Sequence, residues 1–172
     1  VQKTGRVVPS DTKPELPGQE TLTRRERLEL YVLALLVQEN PVVKLQNLTA
    51  VVRVDEFLYP AVQKVLERLV SWCAAHASYE PKEFANALAK ELLPVFDEAF
   101  LWDISDILLD ASRFDREWKK TLLELRKLTV REKMNRLVST MQDENASATD
   151  ISSLEETLKA LTLERAAIEK ER

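Results

Sequence analysis

The chain has 172 residues, 45% of them apolar and 31% charged, with a formal net charge of −4. That suffices for one hydrophobic core with a small appendage, and the acidic balance supplies no field that would hold a nucleic-acid backbone at physiological salt. The single cysteine, Cys73, excludes a disulfide framework or a paired-cysteine metal site, and no apolar run approaches the roughly 18 residues of a membrane helix.

Both glycines, Gly5 and Gly18, lie near the start. Glycine hairpin turns and phosphate-cradling loops are therefore excluded from the rest of the chain, and an all-α fold is expected. The first residue is Val1 rather than Met, so a piece of a longer or processed polypeptide is expected, and the lone Cys73 makes a reducing cytosol the simpler compartment.

Residues 1–20 hold Pro9, Pro14 and Pro17 among Ser, Thr, Lys and Gly, a composition that cannot bury enough apolar area to order itself; a linker is expected there. Helical pattern begins at Thr23, where Thr23 and Glu26 match a capping box. Leu28, Tyr31, Val32, Leu35 and Leu36 then repeat at helical spacing, and with Leu33 and Val37 also apolar this helix is expected to be buried on most sides, ending at Asn40-Pro41. Residues 42–59 are read as a short helix with loops. Pro60 suits a first helical turn, and Val62, Val65, Leu66, Leu69, Val70 and Cys73 form one continuous stripe. Pro81 opens the next helix, with Phe84, Leu88 and Leu92 facing inward. After Pro94, Phe96, Phe100, Ile104, Ile107, Leu108 and Ala111 predict a further helix whose outer face carries Asp97, Glu98, Asp103, Asp106 and Asp110.

From Phe114 to about Gln142 neither Gly nor Pro occurs, which allows one helix about 40 Å long. Its apolar stripe changes face: Phe114, Trp118, Leu122 and Leu125 follow one line, and Val130, Met134, Leu137 and Met141 restart on another after Leu128. A helix whose buried face changes halfway packs on two different things. Residues 143–149 read as a polar turn, and Ser152 and Ser153, each with a Glu three residues on, mark the start of a last helix from Leu154. Leu154, Leu158, Leu161 and Ile168 would zip onto the preceding helix as an antiparallel hairpin, while Ala160, Leu163 and Ala167 lie on nearly the opposite side. The expected organisation is a linker over 1–20, a helical bundle over 21–128, and a long-helix and terminal-helix hairpin over 129–172. So thin a seam reads as a surface offered to another protein. The candidate contact residues are Met134, Leu137, Val138, Met141, Leu154, Ala160, Leu163, Ala167 and Ile168.

Catalytic chemistry has little to stand on. His76, the only histidine, has alanines around it and is read as a helix-end residue; Cys73 three residues away makes no dyad without an orienting group. Asp103, Asp106 and Asp110 share a helical face at steps of three and four, but a solvated acidic face is favoured over a divalent-metal site, with a dock for a basic partner as the minority reading. The basic residues of the long helix are interleaved with Asp115, Glu117, Glu124 and Glu132, which favours an ion-paired surface over a nucleic-acid interface. Trp102 and Trp118 are read as core anchors. No catalytic residue, metal or cofactor is expected.

The run from Arg25 through Leu28, Tyr31 and Leu36 to Asn40-Pro41, followed by Asp55-Glu56-Phe57 and Tyr59-Pro60, then a bundle, a long helix and a terminal hairpin, resembles one family. It is similar to the C-terminal helicase-binding domain of bacterial replicative (DnaG-type) DNA primase, over about Leu22 to Arg172. The resemblance implies a bundle with a protruding hairpin that docks on the N-terminal collar of the hexameric replicative helicase. It also implies a monomeric, non-enzymatic segment, without direct nucleic-acid or membrane binding, of a bacterial cytoplasmic primase whose polymerising and zinc-binding modules lie elsewhere. Two alternatives stay open: the helicase's own collar domain, which is similar in fold, and a self-associating helical adaptor.

Overall fold

A computed structural model describes residues 22–142 and 148–170. Among the described residues there are eight α-helices and no strand: α1 (Arg24–Val37), α2 (Pro41–Val51), α3 (Pro60–Ala75), α4 (Pro81–Ala87), α5 (Leu93–Phe100), α6 (Ser105–Leu108), α7 (Ala111–Met141) and α8 (Ala148–Lys170). The expected linker over 1–20 and residues 143–147 of the expected turn lie outside the described residues.

The capping box starts α1 as its sequence implies. Thr23 Oγ1 accepts from the Glu26 amide at 3.2 Å, and Glu26 Oε2 accepts from the Thr23 amide at 2.8 Å. Leu30 and every residue from Val32 to Val37 are buried, so α1 is the central helix, packed against α2, α3, α5 and α7. Asn40 stops one helix and starts another: its Oδ1 accepts from the Val42 amide at 3.2 Å, with Pro41 in the first turn of α2. The α3 stripe buries Val62, Val65, Leu66 and Leu69 but not its end, where Val70 is 38% exposed and Cys73 is half-buried.

The helix expected after Pro94 is not continuous. α5 stops at Phe100, α6 is a single turn, and α7 begins at Ala111. Local hydrogen bonds break it up: Asp103 Oδ1 accepts from Ser105 Oγ at 2.7 Å and from the Ser105 amide at 3.3 Å, and Asp110 Oδ1 caps α7 through the Ser112 and Arg113 amides at 2.8 and 3.3 Å. Asp and Ser side chains that bond nearby amides compete with the helical ladder. Asp103, Asp106 and Asp110 therefore do not share one helical face. At the other end, α8 begins six residues before Leu154, so Ser152 and Ser153 lie inside the helix rather than at its cap.

One buried polar group links the elements. Arg25 and Glu29, 4% and 0% exposed, pair within α1 through Arg25 Nε and Glu29 Oε1 at 2.7 Å. Glu29 also accepts from the Leu58 amide at 3.0 Å and the Tyr59 amide at 2.8 Å, capping α3 from another helix. Arg25 Nη1 donates to the Leu125 carbonyl at 3.2 Å, and Nη2 to the Glu56 carbonyl at 3.4 Å. A charge left without its partner here would stay buried, so Arg25→Ala should cost about 3–5 kcal/mol in urea unfolding. A loss under about 1 kcal/mol, the scale of an exposed pair, would count against this role.

Tyr31 Oη donates to Glu117 Oε1 at 3.3 Å, and burial, helped by that carboxylate, pushes the phenol up to about 12 from an ordinary value of 10.0. The folded state keeps this proton where the unfolded chain has lost it. The resulting stability is therefore complete below about pH 10 and lost as pH rises towards about 12. Urea midpoints should fall over that window more steeply for the wild type than for Tyr31→Phe.

Candidate partner-binding site

α7 has 31 residues, and its two halves bury different faces. Phe114, Trp118, Leu122 and Leu125 belong to the main core, whereas Val130 and Ile168 are buried outside it, at 3% and 1% exposure. From Val130 onwards α7 is covered by α8. The pair is antiparallel: Arg126 Nε meets Glu164 Oε1 at 3.2 Å, and the two residues lie equally far in sequence from the residues that join the helices. α8 thus reaches back past residue 128, alongside the last turns that serve the bundle core.

Thr129 marks the change of face. Its Oγ1 donates to the Leu125 carbonyl at 2.9 Å, the same carbonyl that accepts from Arg25. A threonine bonded back to the preceding turn and a guanidinium from α1 thus meet at one peptide group. On either side of this point Lys133 pairs with Glu56, and Arg24 Nη2 with Glu124 Oε1 at 2.6 Å, so the hairpin's root is tied to the bundle by charge as well. A cleft of about 770 Å³ between α1, α7 and α8 is lined by Arg24, Lys127, Arg131, Arg165, Glu124 and Glu169. Arg165 pairs with Glu169 at 3.3 Å, and with the Arg24 pair this makes much of the basic surface ion-paired.

The seam residues Met134, Leu137, Met141, Leu154, Leu158 and Leu161 are all half-buried. Two helices can cover each other's seam only from one side, so this is what an isolated pair yields. Val138 is 41% exposed beside the seam, and Leu163 is 72% exposed with Ala160 and Ala167 also in the open. Ile168 is corrected: it was expected among the contact residues, but a side chain 1% exposed is internal packing and cannot meet a partner. Among the expected contact residues, the exposed apolar ones are Val138, Leu163 and the two alanines.

The minor chemical candidates resolve simply. His76 follows α3, stacked on Trp72 with ring centres 3.7 Å apart and a ring nitrogen 3.1 Å from the Trp72 carbonyl oxygen. Burial pushes the Cys73 thiol up, away from a reactive thiolate. The Ser105 hydroxyl and amide hold Asp103 below the usual carboxylate range, and the Ser112 hydroxyl with the Arg113 and Ser112 amides does the same for Asp110. Among the described residues no three of His, Cys, Asp and Glu gather as a metal site would need, and no helix is long and apolar enough to cross a membrane. Trp118 is a core residue, and Trp102 packs at the core's edge 5.6 Å from Tyr31. The buried Arg25 and Glu29 carry no distinguishing signal in the sequence, because Arg24, Glu26 and Arg27 crowd the same turns of α1 with charge.

Comparison of the chain with protein-family models, curated proteins and solved structures gave no match.

The two faces of α8 should respond differently to a charge. Ile168→Asp should open the hairpin and strip amide-exchange protection from α8, because a carboxylate would be buried between helices. Leu163→Asp should leave that protection as in the wild type. Equal protection in both variants would sink the assignment of inner and outer faces.

Proposed function

We propose that the chain is a non-catalytic interaction domain whose terminal hairpin docks on the N-terminal collar of a hexameric replicative DNA helicase, so that the parent protein, a DNA primase, is held where primers are made. The observation that carries this reading is the hairpin: a seam spent on holding α7 to α8, and a second apolar face with Leu163 72% exposed. The order of capped first helix, Asp55-Glu56-Phe57, Tyr59-Pro60, bundle and hairpin, which resembles the primase family, supports it. On this reading the segment needs no cofactor and works in the bacterial cytoplasm at the replication fork. The bundle sets the hairpin's direction, and α8 supplies the contact.

Helix-in-groove docking concentrates binding energy in a few apolar anchors, so Leu163→Asp should weaken binding by about tenfold or more. The test is co-elution of the full chain with a replicative helicase hexamer, with helix content checked by circular dichroism. Wild-type chain that fails to co-elute at micromolar concentration would end this reading. The competing reading is a self-associating adaptor, since a second copy could cover the same face. A tight homodimer in light scattering, unchanged by added helicase and broken by Leu163→Asp, would establish that instead.

A further inference from the structure

The most exposed large apolar side chains among the described residues are not on the hairpin. Leu101 and Leu109 are 79% and 88% exposed, and Phe100, next to Leu101 in the chain, is 39% exposed. Monomeric proteins seldom hold several such side chains in one short stretch without a use. These leucines follow the last residues of α5 and α6, on the connection that leads into α7.

The backbone here is fixed rather than frayed. Gln38 Nε2 donates to the carbonyls of Ala99 and Trp102, at 3.0 and 2.8 Å, straddling Leu101. Ile104, between the leucines, is 3% exposed and anchors the connection in the core. Phe100 stacks on Phe96 at 5.9 Å, which meets Phe84 at 5.7 Å, so Phe100 is the outer end of an aromatic row. Surface held in place in this way loses little freedom on binding.

The charge around the leucines selects the occupant. Asp103, Asp106 and Asp110 form no ion pair among the described residues, and the nearby Arg113 donates to the Asp106 carbonyl at 3.4 Å. Three carboxylates against the guanidiniums of Arg113 and Arg116, the latter donating to the Ser112 carbonyl at 3.4 Å, leave the corner net acidic. A nucleic-acid backbone would be repelled, and a two-fold contact with a second copy would set like charges against one another.

We propose that the corner between α5 and α7 docks a basic amphipathic helical segment of another protein, its apolar edge on Leu101 and Leu109 and its lysines or arginines opposite Asp103, Asp106 and Asp110. The surface is separate from the hairpin face and does not depend on what the hairpin binds. Asp106 is the clean electrostatic probe, because Asp103 and Asp110 also bond Ser105 and Ser112 and their loss would disturb the turns.

The test is fluorescence anisotropy of the full chain with a labelled helical leucine–lysine peptide and its leucine–glutamate counterpart. The lysine peptide should bind, more weakly as salt is raised. A Leu101→Ser, Leu109→Ser double variant and Asp106→Lys should each weaken binding about tenfold or more, while Leu163→Ser leaves it unchanged, with circular dichroism reporting folding. The proposal is overturned by equal binding of the glutamate peptide, by no binding of the lysine peptide, or by loss of affinity equal in Leu163→Ser. It is also overturned if sedimentation shows self-association that the double leucine variant abolishes, since a second copy would then cover the patch.

Discussion

The carboxylate of Glu29 is fully buried in the bundle and must find its hydrogen-bond donors there, and this constraint sets the arrangement around it. Its oxygens accept from Arg25 and from the amides of Leu58 and Tyr59, while Arg25 also donates to the carbonyls of Glu56 and Leu125. Two side chains in one turn of α1 thereby fix the entry to α3 and one level of α7. Apolar packing tolerates modest sliding; a buried guanidinium with fixed fork geometry tolerates little. The hydrophobic effect collapses these helices, and the ion pair selects the register in which they come to rest.

That register governs the hairpin. Leu125 is the last α7 residue in the main core, and its carbonyl receives both Arg25 and Thr129. One turn later α7 turns its apolar residues towards α8. The two functions of the helix, closing a core and carrying an outer arm, thus meet at a peptide group fixed by α1.

Much of this was legible because it rests on local chemistry. Thr23 and Glu26, Asn40 with Pro41, and Pro60 and Pro81 at helix starts act within a turn or two, so their signatures survive in the bare sequence. The change of face in α7 was readable because periodicity records which side is buried. What was not readable depended on distant partners or on competition. The segment from Phe96 to Ala111 has good helical periodicity, yet Asp103 and Asp110 each offered nearby amides a better acceptor and broke it into short pieces. Ser152 and Ser153 carry a cap signature that the helix overruns. Ile168 differs from Leu163 only in which neighbour lies over it, and Arg25 with Glu29 looks like an ordinary surface pair until helices from elsewhere close around it.

α7 runs from the bundle to Met141 with no glycine, no proline and no break in its 31 residues. Sharp bends in helices need such an interruption, so the arm has no hinge at its root. Whatever binds the outer face of α8 therefore takes up a set orientation towards the bundle, and the distance between them is fixed by the length of a helix. The protein acts in this respect as a bracket rather than a tether: it specifies direction as well as proximity, and a strain applied at α8 would be felt along α7 as far as Leu125 and the buried ion pair.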